Sequence, residues 1–173
     1  VGVGGCIYCD NGSFHSGLSE TTGISQQMER GIEWAQKRYK AKYFLAYFQT
    51  FSNTYASIAT LKKIYSEAIS FKQVVGLMIA TRPDCLSDGV VEVLRSFNQK
   101  TTVWVELGLQ TSHDATLKQI NRGHDRRCSE GAVKKLLDAG IRVVAHVILG
   151  LPDETRQMMM DTARWIDDLG VQG

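Results

Sequence analysis

Two thiols three positions apart, Cys6 and Cys9, lie in the glycine-rich, turn-forming stretch GGCIYCDNGSF from Gly4 to Phe14, with Tyr8 beside the second of them. A thiolate is a nucleophile or a metal ligand. In a reducing compartment a single C-x-x-C serves metal binding or redox chemistry more often than a structural disulfide. Spacing alone leaves three readings: part of a metal or cluster site, half of a zinc site, or an incidental pair. The other cysteines, Cys85 and Cys128, have no partner nearby in sequence and read as small core or surface residues.

Further polar residues collect at the ends of apolar runs, in FQTFSNT, ATRPDC, ELGLQTS and LGLPDET. Side chains alternate along a strand, so Glu106, Gly108 and Gln110 share one face and Leu107 and Leu109 take the other. If the first face points inward, a carboxylate and an amide line the interior. A buried carboxylate is costly unless paired or bound to a ligand, and Arg82, at the end of the neighbouring run, is the expected partner. That pair reads either as part of a site or as a structural ion pair, and Glu106 could also serve as the general base of a metal-free enzyme. His146, mid-run among apolar residues, is a core histidine or a site residue. Met158 to Met160 read as helix packing, and Asp125, Arg126 and Arg127 as a solvated charged turn.

The elements that must hold these residues follow from periodicity. Tyr43 to Gln49, Val74 to Thr81, Val103 to Leu109 and Val143 to Gly150 are near-continuous apolar runs, the pattern of strands covered on both faces in a parallel sheet. Between them, Gln27 to Lys40, Tyr55 to Ser70, Ser87 to Phe97, Ser129 to Ala139 and Glu154 to Leu169 carry apolar residues at three-to-four spacing, as amphipathic helices do. Asn53 or Thr54, Ser87 and Ser129 are the expected N-caps, and Gly140 a helix stop. The result is a βα repeat, an α/β fold that curls into part of a barrel or a doubly wound sheet. In either, chemistry belongs at the carboxyl ends of the strands.

The chain has 173 residues, of which 43% are apolar, enough for one core and one domain. Its 20 basic and 18 acidic side chains give +2, scattered along the sequence, so charge points to neither nucleic acid nor membrane. No apolar run is long enough to span a bilayer, and the expected location is cytoplasmic. The chain opens on Val1 close to the thiol pair and reads as an internal segment of a longer protein.

In GGCIYCDNGSF, AYFQTFSNTYA, TRPDCL, VWVELGLQTSHDATLKQINRGHD and AHVILGLPDET, in that order, nearly the whole chain resembles the radical S-adenosylmethionine (SAM) superfamily. Within it the likeness is to a bacterial branch, Fe–S oxidoreductase-like, grouped with the Elongator catalytic subunit, MiaB and NifB. The resemblance implies a partial (β/α)6 TIM-like barrel with a parallel sheet, a [4Fe-4S] cluster held by three cysteinates, and SAM on the fourth iron. Reduction would then cleave SAM to a 5'-deoxyadenosyl radical that attacks a substrate the sequence does not identify. An electron donor such as flavodoxin or ferredoxin is implied as partner.

Carried over residue by residue, Cys6 and Cys9 match the second and third cluster ligands, and Tyr8 the ring beside adenine. The segment holding Gln49, Thr50, Ser52 and Asn53 matches the loop that meets the methionyl amino group. Arg82 and Glu106, with Gln110 on the same face as Glu106, match positions around the methionyl carboxylate and ribose, in an order left open. Ile148, Gly150 and Leu151 match the adenine-side motif. There Gly150 is expected because a side chain would obstruct the ring, with Pro152 stiffening the turn. The resemblance places the first cluster cysteine about a dozen residues before the second, where this chain has only Val1 to Gly5. The expectation is therefore one radical SAM core domain over residues 1–173, truncated at both ends, without the first strand or the last, and inactive as a fragment.

Overall fold

The computed structural model describes residues 5–9 and 23–173. Helix α1 (Ile24–Tyr39) leads into β1 (Phe44–Phe48), followed by α2 (Ile58–Ile69), β2 (Val74–Thr81), a 3-10 turn at Pro83–Cys85, α3 (Asp88–Asn98) and β3 (Thr102–Gln110). Two helices, α4 (Asp114–Gln119) and α5 (Arg126–Asp138), precede β4 (Arg142–Val147), and α6 is Arg156–Asp168. The four strands form one parallel sheet in the order β1-β2-β3-β4. Thus the sequential parallel arrangement read from the covered-strand pattern is the one observed.

The two faces of the sheet divide the labour. Leu77 and Ile79 of β2, Val103, Val105, Leu107 and Leu109 of β3 and Val143 of β4 are fully buried, packed in one core with Leu61, Tyr65, Leu94, Phe97, Val133 and Leu136 from the helices. Each such side chain contributes about 1.5–3 kcal/mol relative to exposure. Cohesion on this face leaves the alternate residues Ala80, Glu106, Gly108, Gln110 and His146 free to line a cavity, with Tyr47 bonded to Glu106 beside them.

Helix starts are fixed by side-chain caps: Ser57, Ser87, Asp125 and Thr155 accept from the backbone N–H groups of Thr60, Val90, Cys128 and Met158. Ser87 is the cap expected from sequence; the others differ. Helix α2 begins at Ile58 because residues 52–55 are committed to a loop. Asp125, Arg126 and Arg127 are the cap and first turn of α5, because the Asp125 carboxylate captures the Cys128 N–H at 2.8 Å; Ser129 lies one turn inside. Helix α6 starts at Arg156, since Glu154 is drawn off by the Thr111 hydroxyl and Asp153 by the Gln119 amide at 2.8 Å. The six-residue α4 is too short to show a period. Gly140 ends α5 as expected, at φ +71°. Beyond α6, Gln172 donates to Val143 O and Ala145 to Gly173 O, so the chain pairs with the outer edge of β4.

Candidate active site

The C-x-x-C turn sits at the carboxyl end of the sheet. Its N–H of Cys9 bonds Cys6 O at 3.0 Å, and the turn is tied to the α4–α5 loop by Ile7 N–H to Ile120 O at 3.1 Å and the Asn121 amide to Gly5 O at 2.6 Å. This docking buries Cys6 while leaving Ile7 exposed.

Two guanidinium groups converge on the Cys6 sulfur. Arg122, only 5% exposed, donates through Nη1 to Cys6 Sγ at 3.5 Å and to the Tyr8 hydroxyl at 3.3 Å. Its Nη2 donates to Gly108 O at 2.5 Å and its Nε to His124 Nε2 at 3.1 Å. Arg82 reaches the same sulfur through Nη1 at 3.9 Å, donates to Arg122 O at 2.6 Å, and is gripped by both oxygens of Asp84 at 2.8 and 2.9 Å. Burial alone would raise the Cys6 thiol pKa, but the Arg122 and Tyr8 hydrogen bonds and the two positive charges outweigh it, so the thiol lies below its ordinary value. Cys9 is pushed the other way, by burial and then by the neighbouring Cys6 charge. Burial likewise raises the Tyr8 phenol and keeps it a donor. Burial also lowers the pKa of His124, whose Nε2 accepts from Arg122; the proton therefore sits on Nδ1, 3.2 Å from Asp125 O.

Gly108 makes room for this arrangement. A Cβ there would stand 2.7 Å from Arg122 Nη2 and 2.7 Å from Gln110 Nε2. The register slips between Gly108 and Gln110, and Gln110 adopts φ +71°.

Deeper on the same face, Glu106 is 8% exposed. Its Oε2 accepts from the Tyr47 hydroxyl at 2.5 Å, with His146 Nε2 at 3.4 Å. Burial and the adjacent carboxylate push the Tyr47 pKa up to about 12. The expected Arg82–Glu106 partnership does not form: among the described residues each charge is held by other groups. Ala80 is the register partner of Glu106, which leaves Arg82 two residues further along, about 6–7 Å. At that height it meets Cys6 and Asp84.

These groups border a cavity of about 600 Å³, a size suited to a small-molecule or cofactor ligand. Of the sequence-predicted residues, Cys6, Tyr8, Cys9, Gln49, Ser52, Arg82, Glu106, Gln110 and Ile148 line it, joined by Arg122, His146, Phe51 and Tyr55. Four others do not line it. Asn53 spends its amide on Phe48 O, Thr50 O and Ala80 O, which staples the β1–α2 loop, and Thr50 is one of the turning points of that loop at φ +63°. Leu151 packs with Leu117, Ile120 and Ile148. Gly150 is exposed, no protein atom lies within 4 Å of where its Cβ would stand, and its φ of +83° itself favours glycine. β4 ends at Val147, before the expected Gly150, because Ile148 N–H turns to Gln110 O.

Sequence reasoning missed Arg122 and Tyr47. Arg122 stood within the quoted NRGHD, but nothing in the sequence marks which arginine is buried. Tyr47 stood in the first run, and its alternation with Ala46 was the available signal.

The donor set suits a thiolate-bound metal group. Cys6 and Cys9 are adjacent, the Cys6 thiol is held below its ordinary pKa, and two guanidinium groups face its sulfur. Among the described residues no group of three or more His, Cys, Asp and Glu could hold a metal ion, so at most two ligands, Cys6 and Cys9, would come from this stretch. None of the described helices is long and apolar enough to cross a membrane.

Comparison with known proteins adds an independent line. The family model of the Radical SAM superfamily matches residues 3–166. YtqA of Bacillus subtilis is 44% identical over 174 residues, covering 100% of this chain and 54% of that protein. YhcC of Escherichia coli is 37% identical over 174 residues, covering 100% of this chain and 55% of that protein. The chain therefore spans about half the length of the curated relatives it matches. The archaeal Elp3 of Methanocaldococcus infernus shares the fold, with a TM-score of 0.71 at 22% identity over 83% of this chain and 38% of that one.

Proposed function

The chain belongs to the radical SAM superfamily, and from that premise we propose that it forms the core of an enzyme that binds a [4Fe-4S] cluster and SAM and acts by radical chemistry. Cys6 and Cys9 would be two of the cluster's thiolate ligands. The cluster and SAM would supply an electron and a 5'-deoxyadenosyl radical for hydrogen abstraction from a substrate. The observation that carries the reading is the convergence of Arg122 and Arg82 on Cys6 at the mouth of the cavity bordered by Glu106 and Gln110.

The chain's own residues then have distinct tasks. Arg122 and Arg82 favour the Cys6 thiolate over the thiol and would offset the negative charge that thiolates bring into a half-buried place. Asp84 and His124 fix the two guanidinium groups in turn. Tyr8 would offer its ring to the base of a bound nucleoside, with its hydroxyl anchored by Arg122. Glu106, Gln49, Ser52 and Gln110 offer acceptors and amides to the polar groups of a nucleoside-sized ligand, while Ile148 and Phe51 shield its apolar parts from water.

Anaerobic reconstitution of the full-length protein tests this. Bound iron and sulfide with a brown chromophore, and 5'-deoxyadenosine on reduction with SAM, are expected. Zinc without iron would instead favour a non-catalytic thiol-zinc module, and no metal at all a conventional enzyme built on Glu106.

A further inference from the structure

We propose that the amino-terminal end of the sheet, opposite the thiol pair, is a docking surface for single-stranded nucleic acid, built from Lys40, Lys42, Lys72, Lys100 and Arg142. In a parallel sheet every helix-to-strand connection returns to the same end. Lys42, Lys72 and Lys100 each stand two residues before a strand, Arg142 opens β4, and Lys40 caps α1. The repeat therefore gathers at one end cations that are far apart in sequence, which is why a scattered net charge of +2 gave no sign of them. With strands about 4.8 Å apart, the row extends over about 14 Å.

These five side chains are exposed, and none is in an ion pair among the described residues. By contrast, the exposed Lys37, Lys134 and Lys135 are paired with Glu33, Asp138 and Asp88. The acids at this end do not cancel the row. Among the described residues, Asp138 is paired with Lys134, while three acids, Glu67 bonded by Ser25 and Asp167 and Asp168 at the end of α6, stand against the five cations, so the row keeps a net positive charge. Lys100 lies over the Phe97 ring and Arg142 over the Trp104 ring, so their cations are positioned at the surface.

Exposed aromatic rings distinguish a nucleic acid from other polyanions. Tyr43 is 71% exposed, beside Lys42, and Tyr39 and Trp34 of α1 are also exposed. Rings interleaved with cations suit a single strand, whose bases stack while its phosphates meet the charges; a duplex keeps its bases stacked on one another. An acidic electron carrier does not fit this end. The nine residues of β3 separate it from the thiol pair by about 30 Å.

The test is fluorescence anisotropy with labelled oligo-uridylate and oligo-thymidylate of about 20 nucleotides, using the full-length protein without a cluster, so the outcome is independent of the radical SAM reading. Neutralising five phosphates predicts affinity falling about a hundredfold between about 50 and about 200 mM salt. Lys42→Ala/Lys72→Ala/Lys100→Ala should weaken binding and make the log–log salt slope shallower by about 2. Tyr43→Ala should weaken it about fivefold or more with the slope unchanged. Lys62→Ala/Lys63→Ala, on α2, should alter neither. Tighter binding of the uridylate assigns the surface to RNA, and of the thymidylate to DNA. The proposal is overturned if neither oligonucleotide binds at low salt, or if the triple variant keeps the wild-type slope. Equal or tighter binding to poly-glutamate or to phosphatidylserine-containing vesicles would overturn it too.

Discussion

Gly108→Ala is the most direct perturbation of the site that leaves its charges untouched. The added Cβ would lie 2.7 Å from Arg122 Nη2 and 2.7 Å from Gln110 Nε2. Both atoms end flexible side chains, yet Arg122 has little freedom: it is 5% exposed and holds Gly108 O, Cys6, Tyr8 and His124 at once. Withdrawing Nη2 breaks its hydrogen bond to Gly108 O and disturbs the contact with Cys6. A hydrogen bond from a charged donor is worth about 1.5–3 kcal/mol, and the cavity admits water to recover part of it, so the expected net loss is about 2 kcal/mol. At a urea slope of about 2 kcal/mol/M, the midpoint should fall by about 1 M. Gly131→Ala supplies the opposite sign, because Gly131 lies within α5 with nothing within 4 Å of the added atom; a gain of about 0.5–1 kcal/mol is expected there. Urea unfolding of both variants, without cluster, decides. Equal stability of Gly108→Ala and wild type, within about 0.5 kcal/mol, would refute the argument that the Arg122 position depends on a bare backbone at 108.

Glu106→Gln preserves shape and an acceptor for Tyr47, so stability should change by less than about 1 kcal/mol while 5'-deoxyadenosine formation by the reconstituted protein falls; thermal melts and product analysis check both. Asp84→Asn should cost about 2 kcal/mol at neutral pH, since it strips the acid from a largely buried pair. Burial opposes ionisation of Asp84, but Arg82 prevails and lowers its pKa below the ordinary 3.8. Its contribution is therefore present above that value and lost as pH falls through the lower folded-state pKa, so the gap between wild type and variant in urea midpoint should narrow below about pH 4. Leu107→Ala, in the fully buried face, should cost about 2–5 kcal/mol, whereas Leu149→Ala on an exposed loop should stay within about 0.5 kcal/mol in the same assay.

The sheet was legible because its strands carry their own evidence: runs such as VVGLMIAT have no polar side to offer water, and their spacing leaves room for one crossover helix each. Alternation also placed Glu106 and Gln110 on the cavity face correctly. What periodicity does not carry is height along a strand. Arg82 and Glu106 face the same way, yet the parallel register offsets them, and only pairing of Ala80 with Glu106 reveals that they miss one another. Arg122 was hidden for another reason. Its burial depends on the C-x-x-C turn folding back onto the α4–α5 loop, a contact between positions 116 residues apart with no local pattern to announce it. Gly150 carries a constraint that periodicity does not show, a backbone angle of φ +83° that favours glycine by itself.

The manner in which the thiol turn is fastened sets an order of events. Its backbone is tied to the rest of the protein by Ile7 N–H to Ile120 O and by the Asn121 amide to Gly5 O, with Arg122 reaching its side chains. β3, in contrast, is bonded along its length to a strand on either side. By these bonds among the described residues, the turn should open at lower cost than the sheet. In hydrogen exchange the Ile7 amide should lose protection far sooner than that of Leu107. A metal group held by Cys6 and Cys9 would then enter and leave a scaffold that is already folded.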